Sequence, residues 1–103
     1  MLVIDETWNN RETEVAVGET LKLALSENPT TGYWWRMPDV GPALRIVDDL
    51  FEAPTGGPGS GGVRSWTLAA DKAGTIPLQL ELKRSWQPSP AQTFKVTLVV
   101  KAR

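Results

Sequence analysis

The sequence predicts an all-β domain, a sandwich or barrel of about seven to eight short strands. Three observations carry that expectation. Apolar and polar residues alternate with period two along most of the chain, the spacing of strands that bury one face and wet the other. Clusters of Gly, Pro, Asn and Ser punctuate the alternating runs, as turns do. No segment sustains a helical period beyond a turn or two.

Taken in order, Val15 and Val17 alternate with Glu14 and Ala16, and Gly18-Glu19 ends that run. Leu21, Leu23 and Leu25 alternate with Lys22 and Ala24. The segment 28–32 breaks the pattern, and Tyr33-Trp34-Trp35-Arg36 resumes it. Parity places Tyr33 and Trp35 on one face and Trp34 and Arg36 on the other, so Trp35 is expected in the core and Trp34 outside. Residues 38–42 form the next break, and 43–51 reads as a strand. The glycine-rich stretch 56–62 precedes Ser65-Trp66-Thr67-Leu68. After Gly74, Ile76, Leu78, Leu80 and Leu82 alternate down to a break at 88–90, and Phe94, Val96, Leu98 and Val100 close the chain. Trp8 and Trp66 are expected in the core.

A chain of 103 residues suits a single domain spanning 1–103 and can bury a core without disulfide staples. Its net charge of −1 gives no electrostatic footprint for nucleic acid or an anionic membrane. The start of the chain lacks the basic region and apolar stretch of a signal peptide, which implies a cytoplasmic protein or the mature part of an exported one. The sequence contains neither Cys nor His. That excludes disulfides, thiol nucleophiles and thiolate metal sites, and removes the usual general base and the commonest metal ligand. No cofactor is expected, and an enzyme is the weakest reading. Five Trp point instead to core and contact surface.

Three segments stand out. In Asn28-Pro29-Thr30-Thr31-Gly32-Tyr33, Pro29 fixes its own φ, Asn28 can bond the local backbone and Gly32 can take a left-handed angle. A stiff loop results, with two Thr at its tip. The run 56–62 lacks the following helix and Lys-Ser/Thr pair of a phosphate loop, so it reads as a linker, or as bare backbone that another chain can approach. Arg84-Ser85-Trp86 follows a strand, with Trp86 either a lid on the sandwich end or a contact hot spot. The adjacent acids Asp5-Glu6 and Asp48-Asp49 cannot converge on one substrate atom from a strand and read as solvated surface.

In this order, the three segments resemble the chagasin family of cysteine-protease inhibitors. That family carries an Asn-Pro-Thr-Thr-Gly-Tyr/Phe loop, a Gly-x-Gly-Gly loop and an Arg-Pro-Trp loop. The first motif matches throughout, and Gly59-Ser60-Gly61-Gly62 matches the second. The third departs at Ser85, where the family has Pro. The resemblance implies an immunoglobulin-like β-sandwich of a monomer, with all three loops at one end and inserted into the cleft of a papain-like protease. It places Thr30 and Thr31 nearest the catalytic Cys and His of the enzyme. It lays the 59–62 segment along the non-primed side and packs Trp86 on the primed side, supported by Arg84. The competing expectation is a carbohydrate-binding or adhesion module that uses exposed Trp34 and Trp86.

Overall fold

Period-two alternation becomes eight strands in two four-stranded sheets in the computed structural model, which describes residues 2–28, 31–53 and 61–102. The strands are β1 (Leu2–Ile4), β2 (Arg11–Ala16), β3 (Thr20–Glu27), β4 (Trp34–Arg36), β5 (Leu44–Glu52), β6 (Gly62–Ala70), β7 (Gly74–Lys83) and β8 (Gln92–Lys101). One sheet has the order β1-β3-β6-β5 and the other β2-β8-β7-β4. β1 runs parallel to β3, β2 runs parallel to β8, and the remaining pairs are antiparallel. A 3-10 turn (Glu6–Trp8) carries the chain from the first sheet to the second.

The expected inward residues form the core. Leu21, Leu23, Leu25, Trp66 and Leu68 meet Trp35, Leu78, Leu80, Phe94, Val96, Leu98 and Val100 across the sandwich. Each large apolar side chain withdrawn from water contributes about 1.5–3 kcal/mol. Trp66 is 2% exposed, Trp8 packs on the rim of the core, and Trp34 is 44% exposed opposite Lys83. The 43–51 segment is the edge strand β5, bulged between Ile46 and Asp48; such a bulge disrupts an edge that would otherwise recruit another strand. Ser65 departs from simple alternation. It lies on the outer face, yet it is buried, because Ala24 and Leu50 flank it from both neighbouring strands.

The paired acids lie at the surface as expected, with Glu6, Asp48 and Asp49 exposed and Asp5 half-buried, but their carboxylates are engaged in local bonds. Asp5 Oδ1 accepts from the Thr7 amide at 2.9 Å and caps the 3-10 turn. Glu6 Oε1 accepts from the Ser26 amide at 2.7 Å, beyond the point where β1 stops covering β3 at Leu23. Partial burial works against ionisation of Glu6, but hydrogen bonding from Ser26 prevails and holds its pKa below the usual range. Asp49 pairs with Arg64, while Asp48 accepts from the Asp49 amide. The acids serve local structure.

Strand register gathers the three segments at one end. Glu27 at the end of β3 faces Gly62 at the start of β6. In the second sheet Trp34 at the start of β4 faces Lys83 at the end of β7, and Leu82 faces Gln92. Hence the 28–33 loop, the approach to Gly62 and the 84–91 loop all leave the sandwich from the same edge. Pro29, Thr30, Gly59 and Ser60 lie outside the described residues.

Candidate functional site

The central loop leaves β3 at Glu27 and enters β4 at Trp34. The Thr31 amide donates to Asn28 O at 3.2 Å, and the Thr31 hydroxyl donates to the same carbonyl at 2.7 Å. The Tyr33 amide stands 3.5 Å from that hydroxyl oxygen. Thr31 is exposed, as the sequence suggests, but its hydroxyl is turned onto its own loop and stiffens it. Gly32 has φ +79°, a left-handed angle that favours glycine.

The third loop is equally closed. The Gln87 amide donates to Arg84 O at 3.1 Å, making a four-residue turn, and the Ala91 amide donates to Leu82 O at 2.8 Å across the neck. Ser85 occupies the second position of that turn, where proline is favoured because its fixed φ suits the site. Trp86, in the third position, is 72% exposed. The lid alternative for this Trp is therefore set aside. Ser85→Pro restores the family residue at a position that accepts it. It should tighten protease inhibition about two- to five-fold by removing roughly 0.4–1 kcal/mol of freedom from the unbound loop. An inhibition constant for the variant equal to or weaker than that of the parent would show that the turn gains nothing from proline.

Arg84 joins the two loops. Its Nε donates to Thr31 O at 3.2 Å. Its guanidinium carbon lies 4.5 Å from the Tyr33 ring centroid and 5.7 Å from that of Trp86. Such cation–π contacts are worth about 0.5–1 kcal/mol at exposed sites. A methyl group at Gly32 would stand 3.9 Å from Arg84 and from the edge of the Trp86 ring, so the loops are in contact around this side chain. The role expected of Arg84 widens: it supports both loops.

The glycine segment borders the central loop. A Cβ on Gly61 would sit 3.9 Å from Asn28 Cβ. Gly62 is buried, and a Cβ there would come within 2.5 Å of Glu52 O and 2.8 Å of Phe51 Cε1. Between the loops lies a shallow depression of about 270 Å³ bordered by Asn28, Thr31, Tyr33, Gly61 and Leu82. Of the expected site residues, Asn28, Thr31, Gly32, Tyr33, Gly61, Arg84, Ser85 and Trp86 thus come together at one end, with Gly62 beneath them.

Two residues escaped the sequence reading. Glu27 is buried at the root of the central loop, and Arg64 on β6 reaches both Glu27 and Asp49. Hydrogen bonding from Arg64 holds the Asp49 carboxyl below the usual range despite partial burial, and Asp49 in turn raises the Arg64 pKa. The signal was available in the sequence. Leu21, Leu23, Leu25 and Glu27 share one strand face, so an acid occupies the fourth core-facing position.

Comparison with known proteins identifies the family and the fold. The model of the chagasin family peptidase inhibitor I42 matches residues 14–98. Chagasin from Trypanosoma cruzi is 26% identical over 105 residues, covering 96% of each chain. The crystal structure of EhICP2, a cysteine protease inhibitor from Entamoeba histolytica, superposes with a TM-score of 0.88 at 22% identity, over 97% of this chain and 95% of that one. PbICP-C, solved in complex with falcipain-2, superposes with a TM-score of 0.62 at 13% identity, over 98% of this chain and 89% of that one. These two likenesses establish the fold, and the family match covers most of the strands that build it. The chain belongs to the chagasin family of peptidase inhibitors, proteins that block cysteine proteases and are not themselves enzymes.

Proposed function

We propose that this protein is a reversible, non-covalent, competitive inhibitor of papain-like cysteine proteases and that the loop end of the sandwich is the wedge that enters the cleft. In this reading Asn28, Pro29, Thr30, Thr31, Gly32 and Tyr33 form the central prong over the catalytic Cys and His. The 59–62 glycines lie along the substrate backbone on one side, and Trp86, carried with Ser85 by Arg84, covers the other. One domain spanning 1–103 acts as a monomer.

The observation that carries the proposal is the bridge made by Arg84. A side chain that bonds Thr31 O and stacks with Tyr33 and Trp86 fuses two loops into one edge. Such an edge loses little conformational freedom on docking. The Thr31 hydroxyl is engaged within the loop, and the sequence contains no Cys or His, so blockade needs no covalent bond from the inhibitor. PbICP-C, a structural neighbour, binds falcipain-2, a papain-like cysteine protease. A wedge of ordinary size would bury about 1,600 Å² in total.

Titration of papain or a cathepsin-L-like protease with the purified protein tests the proposal. Stoichiometric competitive inhibition is expected, with the inhibitor recovered at its original mass. Full protease activity at micromolar inhibitor would overturn it.

A further inference from the structure

Glu27 is a carboxylate on an otherwise apolar strand face, with its side chain 0% exposed. A charge taken out of water persists only where partners replace the solvent. Its two oxygens have separate partners. Oε2 accepts from the Trp35 amide at 2.8 Å, and Oε1 faces Arg64 Nη1 at 3.4 Å. Arg64 is in turn held by Asp49, through Nε at 2.5 Å and Nη2 at 2.9 Å. Beside this link the Trp35 indole N–H donates to Ser26 O at 2.8 Å.

The two contacts from Trp35 cross between the sheets, where no strand ladder can act. Glu27 ends β3, Trp35 is in the middle of β4, and the central loop runs between these strands. β3 and β4 belong to different sheets and share no ladder. Strand pairing therefore fixes each foot of the loop within its own sheet and leaves the distance between the feet undetermined. The two hydrogen bonds from Trp35 to Ser26 and Glu27 join the feet directly, and the packing of Trp35 in the core adds to them. Arg64 comes from β6, the strand that pairs with β3 within the same sheet, and holds the Glu27 carboxylate from that side, two residues from Gly62, where the glycine segment joins β6.

We propose that Glu27 is the positioning residue of the wedge: it clasps the mouth of the central loop and holds Thr31 and Tyr33 in docking geometry before any protease is met. This rests on the inhibitor reading above. The part played by Glu27 is indirect, since the residue is buried and touches no partner. Glu27→Gln conserves its size but not its bonding. An amide can offer oxygen to the Trp35 amide or to Arg64, but its NH₂ then confronts the other donor. The loop opens into an ensemble, and the fraction able to dock falls.

The experiment measures inhibition of papain by the parent, Glu27→Gln and Glu52→Gln. Glu52 is an exposed acid paired only loosely with Lys22 at 3.9 Å, so it controls for loss of charge. Amide hydrogen exchange is followed in the free proteins. The expected result is an inhibition constant raised at least tenfold for Glu27→Gln at a temperature where it is fully folded, with an unaltered value for Glu52→Gln. Exchange at Thr31, Tyr33 and Trp35 should accelerate while β8 stays protected. A merely structural role would lower the thermal midpoint and leave the inhibition constant of the folded protein unchanged, and that result overturns the inference. Failure of the parent to inhibit overturns the functional reading and this inference with it. If Glu27→Gln does not fold, Glu27→Asp keeps the charge beside Arg64 but shortens the reach to Trp35. Weakened inhibition by that variant supports the clasp, and parental inhibition refutes it.

Discussion

Trp86→Ala is expected to raise the inhibition constant toward a papain-like protease by about 30- to 1,000-fold, the range of a Trp hot spot. The reasoning starts from cost. Trp86 is 72% exposed, so the free protein holds a large apolar ring in water, where burial would be favourable. Its position in a closed turn and the guanidinium of Arg84 at 5.7 Å fix where the ring points. An oriented, uncovered indole is suited to fill a pocket on a partner. Removing it leaves the Arg84 bridge to Thr31 and Tyr33 in place, so the thermal midpoint should hardly move. The loss should appear chiefly as faster dissociation, because contacts formed after encounter govern escape more than approach. Surface-immobilised protease and a dissociation phase suffice to measure it. An unchanged dissociation rate would remove Trp86 from the contact surface.

Much of this molecule is legible in its sequence, and what is not has a physical reason. Alternation identifies the inward faces of β3, β7 and β8 because each buries one side against the other sheet. It misreads Ser65, whose burial comes from Ala24 and Leu50 on the flanking strands. Strand neighbours are set by topology, which a period-two pattern does not encode. The motifs at 28–33 and 84–86 indicate stiff loops through Pro, Gly and aromatic content, but their contact with each other does not follow from that. Arg84 Nε and Thr31 O are brought together by the register of β7 with β4, a pairing between segments distant in the chain. Glu27 was visible as an acid on a core face. Its role was not, because Trp35 and Arg64 arrive from strands that the local pattern cannot place. The same holds for Asp49 and Glu6. Both acids are at the surface, as their sequence suggests, but the guanidinium and the backbone amide that engage them come from strands distant in the chain.

Glycine in a recognition segment can be needed for an internal or an external reason, and Gly61 and Gly62 separate the two. Gly62→Ala should destabilise the fold by about 3 kcal/mol, the upper end of the usual overpacking range. The added methyl would meet the Glu52 carbonyl oxygen at 2.5 Å and would run into the Phe51 ring, with Cε1 at 2.8 Å and Cζ closer still. A backbone carbonyl in a ladder cannot swing aside as a flexible side chain can, so β5 must move away from β6 or the start of β6 must unpair. For a domain of this size that corresponds to a fall of roughly 10–25 °C in thermal midpoint, readable by circular dichroism. Among the described residues Gly61→Ala meets only ordinary contacts, 3.9 Å to Asn28 Cβ and 4.0 Å to Glu27 O, and should leave the midpoint within about 2 °C. If the glycine segment lies against protease backbone, that same methyl intrudes on the interface and weakens inhibition. A Gly61→Ala protein of parental stability and parental affinity would place the segment off the protease, and would leave its glycines explained by Phe51 and Glu52 alone.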